Sequence, residues 1–250
     1  MATATVPQAV RPSSGSRADN YFFSGMAVLC LIIVVVGFAQ TYFLAGIFRA
    51  PLPSVLVHIH GALFSSWILL FIAQVSLVSA GRVDLHRRLG LFGFWVACLM
   101  VIVGVLTATG MLARGVSPVP GFDAQAFYAI PLSDIFLFAG LIYLAYRERI
   151  HPAAHKRLIL VATIVLMDAP TGRPPFAAIT SLPHLDAVFC WALLAIVIGY
   201  DIWSMRRVHW ATVVGTLMTV LVTILRAPIA MTTGWHGFAA WAQGLARSIH

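Results

Sequence analysis

The chain has 250 residues, of which 60% are hydrophobic and only 10% charged, and its mean hydropathy is +0.92. A soluble protein needs roughly a quarter of its residues charged to cover its exterior, so this composition excludes a cytosolic enzyme and an extracellular binding module and predicts an all-α polytopic bundle of transmembrane helices. The net charge is +8 and the pI near 10.1, but the 15 Arg and single Lys are scattered between apolar runs; that distribution argues against a nucleic-acid partner and makes the basic residues topology signals.

A helix needs about 20 largely apolar residues to cross a hydrocarbon core about 30 Å thick, so the charges mark where spans begin and end. Residues 1–20 are rich in Ala, Ser, Thr and Pro and read as a disordered cytoplasmic tail without a leader-like apolar core. The bundle is expected over 21–231. Its first span, Tyr21 to Phe48, carries Cys30 and ends with Gln40 and Tyr42. The second, Ser54 to Ser79, opens with His58 and His60, which sit about 200° apart on a helix and cannot both aim at one small site. His86 lies in a short loop, Gly81 to Arg88, ahead of the third span, Leu89 to Ala113.

The fourth span, Ala126 to Tyr146, contains Asp134. His151 and His155 precede the fifth, Arg157 to Phe176, which is interrupted by Asp168, Pro170, Gly172, Arg173, Pro174 and Pro175. His184 stands before the sixth, Asp186 to Met205, and the seventh, Val208 to Met231, begins beside His209 and ends near Arg226. That makes seven spans, or six if the interrupted one does not cross. Residues 232–250 hold Trp235, His236, Phe238 and Trp241 and suit an interfacial segment at headgroup level. Cys30, Cys98 and Cys190 lie singly in apolar runs and read as core thiols.

With the amino terminus inside, eleven of the sixteen basic residues face the cytoplasm and Arg49, Arg114, Arg173, Arg226 and Arg247 face out, which predicts a multi-pass protein of the cell (inner) membrane with a cytoplasmic N-terminus. Charges within a span cost about 2.5–3.5 kcal/mol each on insertion scales, so Asp134 and Asp168 are expected to face inward, with at least one of them in a buried ion pair with Arg173 or a histidine. Together with His58, His60, His184 and Arg226 they make an outer polar tier. His86, His151, His155 and His209 make an inner one. The plain alternatives are interhelical hydrogen bonding for the outer tier and headgroup chemistry for the inner.

Neutral imidazoles at two depths of a bundle can hold haem iron from facing helices. His58, His60, His86 and His155 are the candidate ligands, and any haem is of the non-covalent b type, because no Cys-x-x-Cys-His occurs. Copper or zinc is the competing chemistry at the outer tier, through His58, His60, Asp134, Asp168 and His184.

The fragments His58-Ile59-His60-Gly61, Leu85-His86-Arg87-Arg88-Leu89-Gly90 and His155-Lys156-Arg157-Leu158, running toward Arg173, resemble the motif series of uncharacterised multi-pass bacterial membrane proteins. More distantly the chain is similar to the transmembrane di-haem cytochrome b family, and that resemblance implies histidines near both faces and electron transfer across the membrane. The leading expectation is a haem b or metal protein serving electron transfer or respiratory-complex assembly, with the lipid bilayer and a redox partner or complex subunits as partners. The alternatives are a transporter or proton-coupled carrier using the polar outer half, which the interruption at Asp168 to Pro175 favours, and a structural subunit without cofactor. No Gly-x-Ser-x-Gly, His-Glu-x-x-His or phosphate-cradling loop occurs; an enzymatic role is left open and, if present, is that of a membrane oxidoreductase.

Overall fold

The computed structural model describes residues 14–48, 50, 53–119, 121–173 and 185–248, and these residues are helical with connecting turns. In chain order the elements are α1 (Ser14–Gly37), a single wide turn of π-helix (Ala39–Phe43), α2 (Ala45–Phe48), α3 (Val55–Ser79), α4 (Val83–Arg114), α5 (Ala124–Arg147), α6 (Pro152–Val165), α7 (Asp168–Thr171), α8 (Leu185–Met205), α9 (Trp210–Ala230) and α10 (Thr233–Ser248). Six of them, α1, α3, α4, α5, α8 and α9, are long and apolar enough to cross a membrane. The chain is therefore a multi-pass membrane bundle. Its lipid-facing surface is legible in α4, where Leu91, Trp95, Leu99, Ile102 and Leu106 are all exposed at the three-to-four-residue spacing of one helix face.

The six spans close a ring, in the order α1, α3, α4, α5, α9, α8, and the ring is completed where Phe22 of α1 stacks on Tyr200 of α8 at 3.8 Å between centroids. Helix α6 fills the middle. It packs on α1, α5, α8 and α9, and Trp67 of α3 donates to its Thr163 at 3.3 Å. Leu158, Leu160, Val161, Ala162 and Ile164 have no exposed surface, as expected of a helix that is apolar all round.

The expected fifth span is corrected here: Arg157 to Phe176 is not one long helix but, over its described residues, α6, fourteen residues, followed by the four-residue α7. Pro170 explains the interruption. Its ring has no N–H and clashes with the carbonyl four residues earlier, at Leu166, where α6 stops and the backbone tightens into Leu166 N–Thr163 O and Met167 N–Ile164 O bonds of 3.2 and 2.9 Å. Gly37 lets α1 approach this joint, since a Cβ there would overlap the Pro170 carbonyl. The part of that expected span beyond Arg173, like His184, lies outside the described residues.

Other boundaries also moved. The expected tail is already helical from Ser14, and Asp19 is fixed by Lys156 Nζ and Tyr200 Oη, each at 2.6 Å. The first span ends at Gly37 rather than Phe48. His86 sits in the first turn of α4, not in a loop, with Asp84 placed favourably near the helix N-terminus. The carboxyl-terminal segment is an amphipathic helix lying across the ends of α4 and α5: Ala239, Ala242 and Ala246 are buried while Phe238, Trp241 and Leu245 are exposed.

Association of helices in lipid lacks the hydrophobic drive available in water, so polar anchors matter. At one end of the bundle the Arg157 side chain, 1% exposed, donates from Nε and Nη2 to Asp201 Oδ1 at 2.8 and 2.6 Å, while its Nη1 reaches the Ala153 carbonyl at 2.8 Å. The second Asp201 oxygen accepts from His209 N at 3.0 Å and Thr212 Oγ1 at 2.7 Å. Eleven residues further along the α6–α7 rod, about 16 Å at 1.5 Å per residue, Asp168 reaches a second polar anchor on Arg226.

Candidate functional site

Two polar centres lie at the two ends of the α6–α7 rod. At the Arg226 end, Arg226 of α9 is buried, and its Nη1 donates to Asp168 Oδ2 at 2.9 Å and to Asp134 Oδ1 at 3.3 Å; its Nη2 donates to Asp186 Oδ2 at 3.3 Å. Four helices converge on one guanidinium. The two aspartates expected to face inward do so, but the expected pairing is corrected: their partner is Arg226, not Arg173. Arg173 follows α7, with Nη1 on the Ala169 carbonyl at 2.7 Å and its guanidinium 5.5 Å from the Phe38 ring centroid, in electrostatic reach of Asp168 without pairing to it.

Of the histidines expected beside these aspartates, His184 lies outside the described residues, and His58 and His60 make other contacts. His58 Nδ1 pairs with Tyr42 Oη at 3.2 Å, and His60 stacks on Phe64, 4.0 Å between centroids, with Nδ1 lacking a hydrogen-bond partner. Among the described residues no three His, Cys, Asp or Glu side chains gather in a group able to hold a metal ion. The expected copper or zinc set of His58, His60, Asp134, Asp168 and His184 includes His184, which lies outside the described residues; of the others, His58 and His60 make their contacts with Tyr42 and Phe64.

At the Arg157 end the outcome differs. His86 of α4 and His155 of α6 converge with their rings at 82° and their centroids 6.4 Å apart. Both rings are held through Nδ1. His155 Nδ1 meets the Ala145 carbonyl of α5 at 2.7 Å, which makes Nδ1 the protonated nitrogen and leaves a lone pair on Nε2. Gln74 of α3 donates to His86 Nδ1 at 2.6 Å and to the His86 carbonyl at 3.1 Å, and its oxygen accepts from Gly90 N at 2.8 Å. So His86 presents an N–H on Nε2 and His155 a lone pair.

The two remaining histidines at this end are structural. His151 pairs with Glu148 at 2.9 Å, and His209 caps α9 by accepting from Ala211 N at 3.1 Å. Burial, with Arg157 close by, holds the His209 pKa below its ordinary value.

Sequence reasoning missed Gln74, Asp186 and Asp201. The first is a lone amide in an apolar span, a signal that was available; the others stood at span boundaries and read as mere end markers. Comparison of the chain with protein-family models, curated proteins and solved structures finds no match.

Proposed function

We propose that the protein is a membrane haem b protein of electron transfer, with His86 and His155 as the residues that would hold the haem. The observation that supports this reading is the convergence of two imidazoles from separate helices. Their ring centroids are 6.4 Å apart. A donor set of two favours haem over zinc, because the macrocycle supplies the remaining ligands of iron whereas a zinc site draws three or four from the protein. Bound there, haem supplies one-electron oxidation and reduction.

The chain's own residues do the rest. The Ala145 carbonyl holds His155 in the tautomer that coordination through Nε2 requires. Gln74 sets His86: the amide orientation that satisfies Gly90 N and the His86 carbonyl points its nitrogen at Nδ1, and coordination through Nε2 would need the opposite one, with the amide oxygen accepting from an Nδ1–H. Exposed Arg87, Arg88, Arg147 and Arg149 surround this end and offer a cationic surface to an acidic redox partner or complex subunit.

The test is an absorption spectrum of the purified, dithionite-reduced protein after addition of haemin. A Soret band that is lost in both H86A and H155A is the expected result. Absence of a Soret band in the parent overturns the reading, and zinc or copper found by metal analysis in its place redirects it to a metal site.

A further inference from the structure

The Arg226 centre is independent of the haem reading, and its charges do not balance. Asp134 comes from α5, Asp168 from α7, Asp186 from α8 and Arg226 from α9. Among the described residues the other ionisable neighbours are Arg173 after α7 and the Cys190 thiol of α8, with His60 of α3 in electrostatic reach of Arg173, and α1 brings no charged group to this end. Even counting Arg173, two guanidiniums and three carboxyls stand here among the described residues, and full ionisation of these leaves one uncompensated negative charge. Such a charge is expelled or neutralised. One proton neutralises it.

Geometry selects the carboxyl. Asp168 has the shortest bond to Arg226 Nη1, and Asp186 has Nη2 to itself at the start of α8, where its side chain keeps 28% exposure. Asp134 shares Nη1 with Asp168 at the longer distance, ten residues into α5. Both carboxyls thus lean on the same guanidinium nitrogen, and of two carboxyl groups sharing one site the less tightly held is the one that carries a proton. We propose that Asp134 holds an exchangeable proton, so that the Arg226 cluster is a proton-binding centre within the membrane, filled from water and emptied to water past the partly exposed Asp186. The step is a proton transfer alone: an O–H bond forms on Asp134 from a hydrated proton and breaks when water takes it back.

The experiment is infrared difference spectroscopy of the full chain in lipid nanodiscs, read between about pH 5 and pH 9, in the carbonyl-stretch region of protonated carboxylic acids. A band that shifts in deuterium oxide and disappears in D134N, which is isosteric with the protonated acid, is the expected result. No such band in the parent, or one that survives D134N, overturns the proposal. Should D134N fail to fold, the parent decides alone: dicyclohexylcarbodiimide, which attacks protonated carboxyls in apolar surroundings, modifies Asp134 as located by mass spectrometry, and modification confined to other residues overturns the proposal equally.

Discussion

Arg157 and Arg226 are buried cations in one bundle, yet their surroundings assign them different work. Arg157 meets one carboxylate whose every lone pair is occupied, and its remaining nitrogen is satisfied by a carbonyl. Removing one partner of such a pair strands the other, a loss of about 3–5 kcal/mol. Asp201→Ala is therefore expected to lower the thermal midpoint in detergent markedly, while Asp84→Ala, which breaks the exposed 3.6 Å contact with Arg82, changes stability by under about 1 kcal/mol; equal midpoints in the two variants contradict this account. At this scale the sequence was read well for charge and poorly for partners. That Asp134 and Asp168 face inward follows from the cost of charge in lipid. Their partner does not, because Arg226 is 58 residues from Asp168 in the chain and only the packing of α9 against α5 and α6 brings them together. His86 and His155 were matched by depth alone, which two neighbouring chain ends suffice to give.

At the scale of elements, α10 is held by a series of contacts to the ends of its neighbours. Trp235 Nε1 donates to the Gln125 carbonyl at 2.7 Å, Gln243 Nε2 to the Leu112 carbonyl at 2.7 Å, and Arg247 Nε to the Ala113 carbonyl at 3.0 Å. His236 adds a titratable link, with Nε2 3.2 Å from Asp123, the residue that caps α5 through Ala126 N. The Thr232 carbonyl and then Asp123 raise the His236 pKa, and the Ala126 N–H with His236 lowers that of Asp123. A raised histidine stabilises below its unfolded value of about 6.5 and loses that contribution as pH climbs through its folded value. A lowered carboxyl contributes above its unfolded value and loses it in acid. Docking of α10 is thus tightest in mildly acidic solution. Hydrogen exchange over Thr233–Ser248 should quicken, beyond its intrinsic pH dependence, between about pH 6 and pH 8, and Asp123→Asn should abolish that extra change; an unaltered pH response in the variant refutes the link. The aromatics of this segment announced a helix at headgroup level, but its docking on α4 and α5 was not legible, since small buried alanines give no apolar run, whereas the six long spans announce themselves by length.

For the whole molecule, the arrangement of six helices around a short seventh was hidden from a reading by charge intervals. Such a reading asks whether a segment can face lipid, and α6 never does. The basic-residue asymmetry still predicts which way the bundle sits: a periplasm-active reporter fused at Arg149 is expected to be silent, and strong activity there reverses the orientation. The enclosure of α6 also bears on how the protein is made. Fourteen residues span about 21 Å, too little for the hydrocarbon core, and Lys156 and Arg157 near the start of the helix oppose insertion further. During synthesis α6 leaves the ribosome before α8 and α9, which supply Asp201, Thr212 and Arg226. The nascent segment therefore has no stable place in the bilayer until the translocon has released two later spans, and the bundle closes over its own centre last.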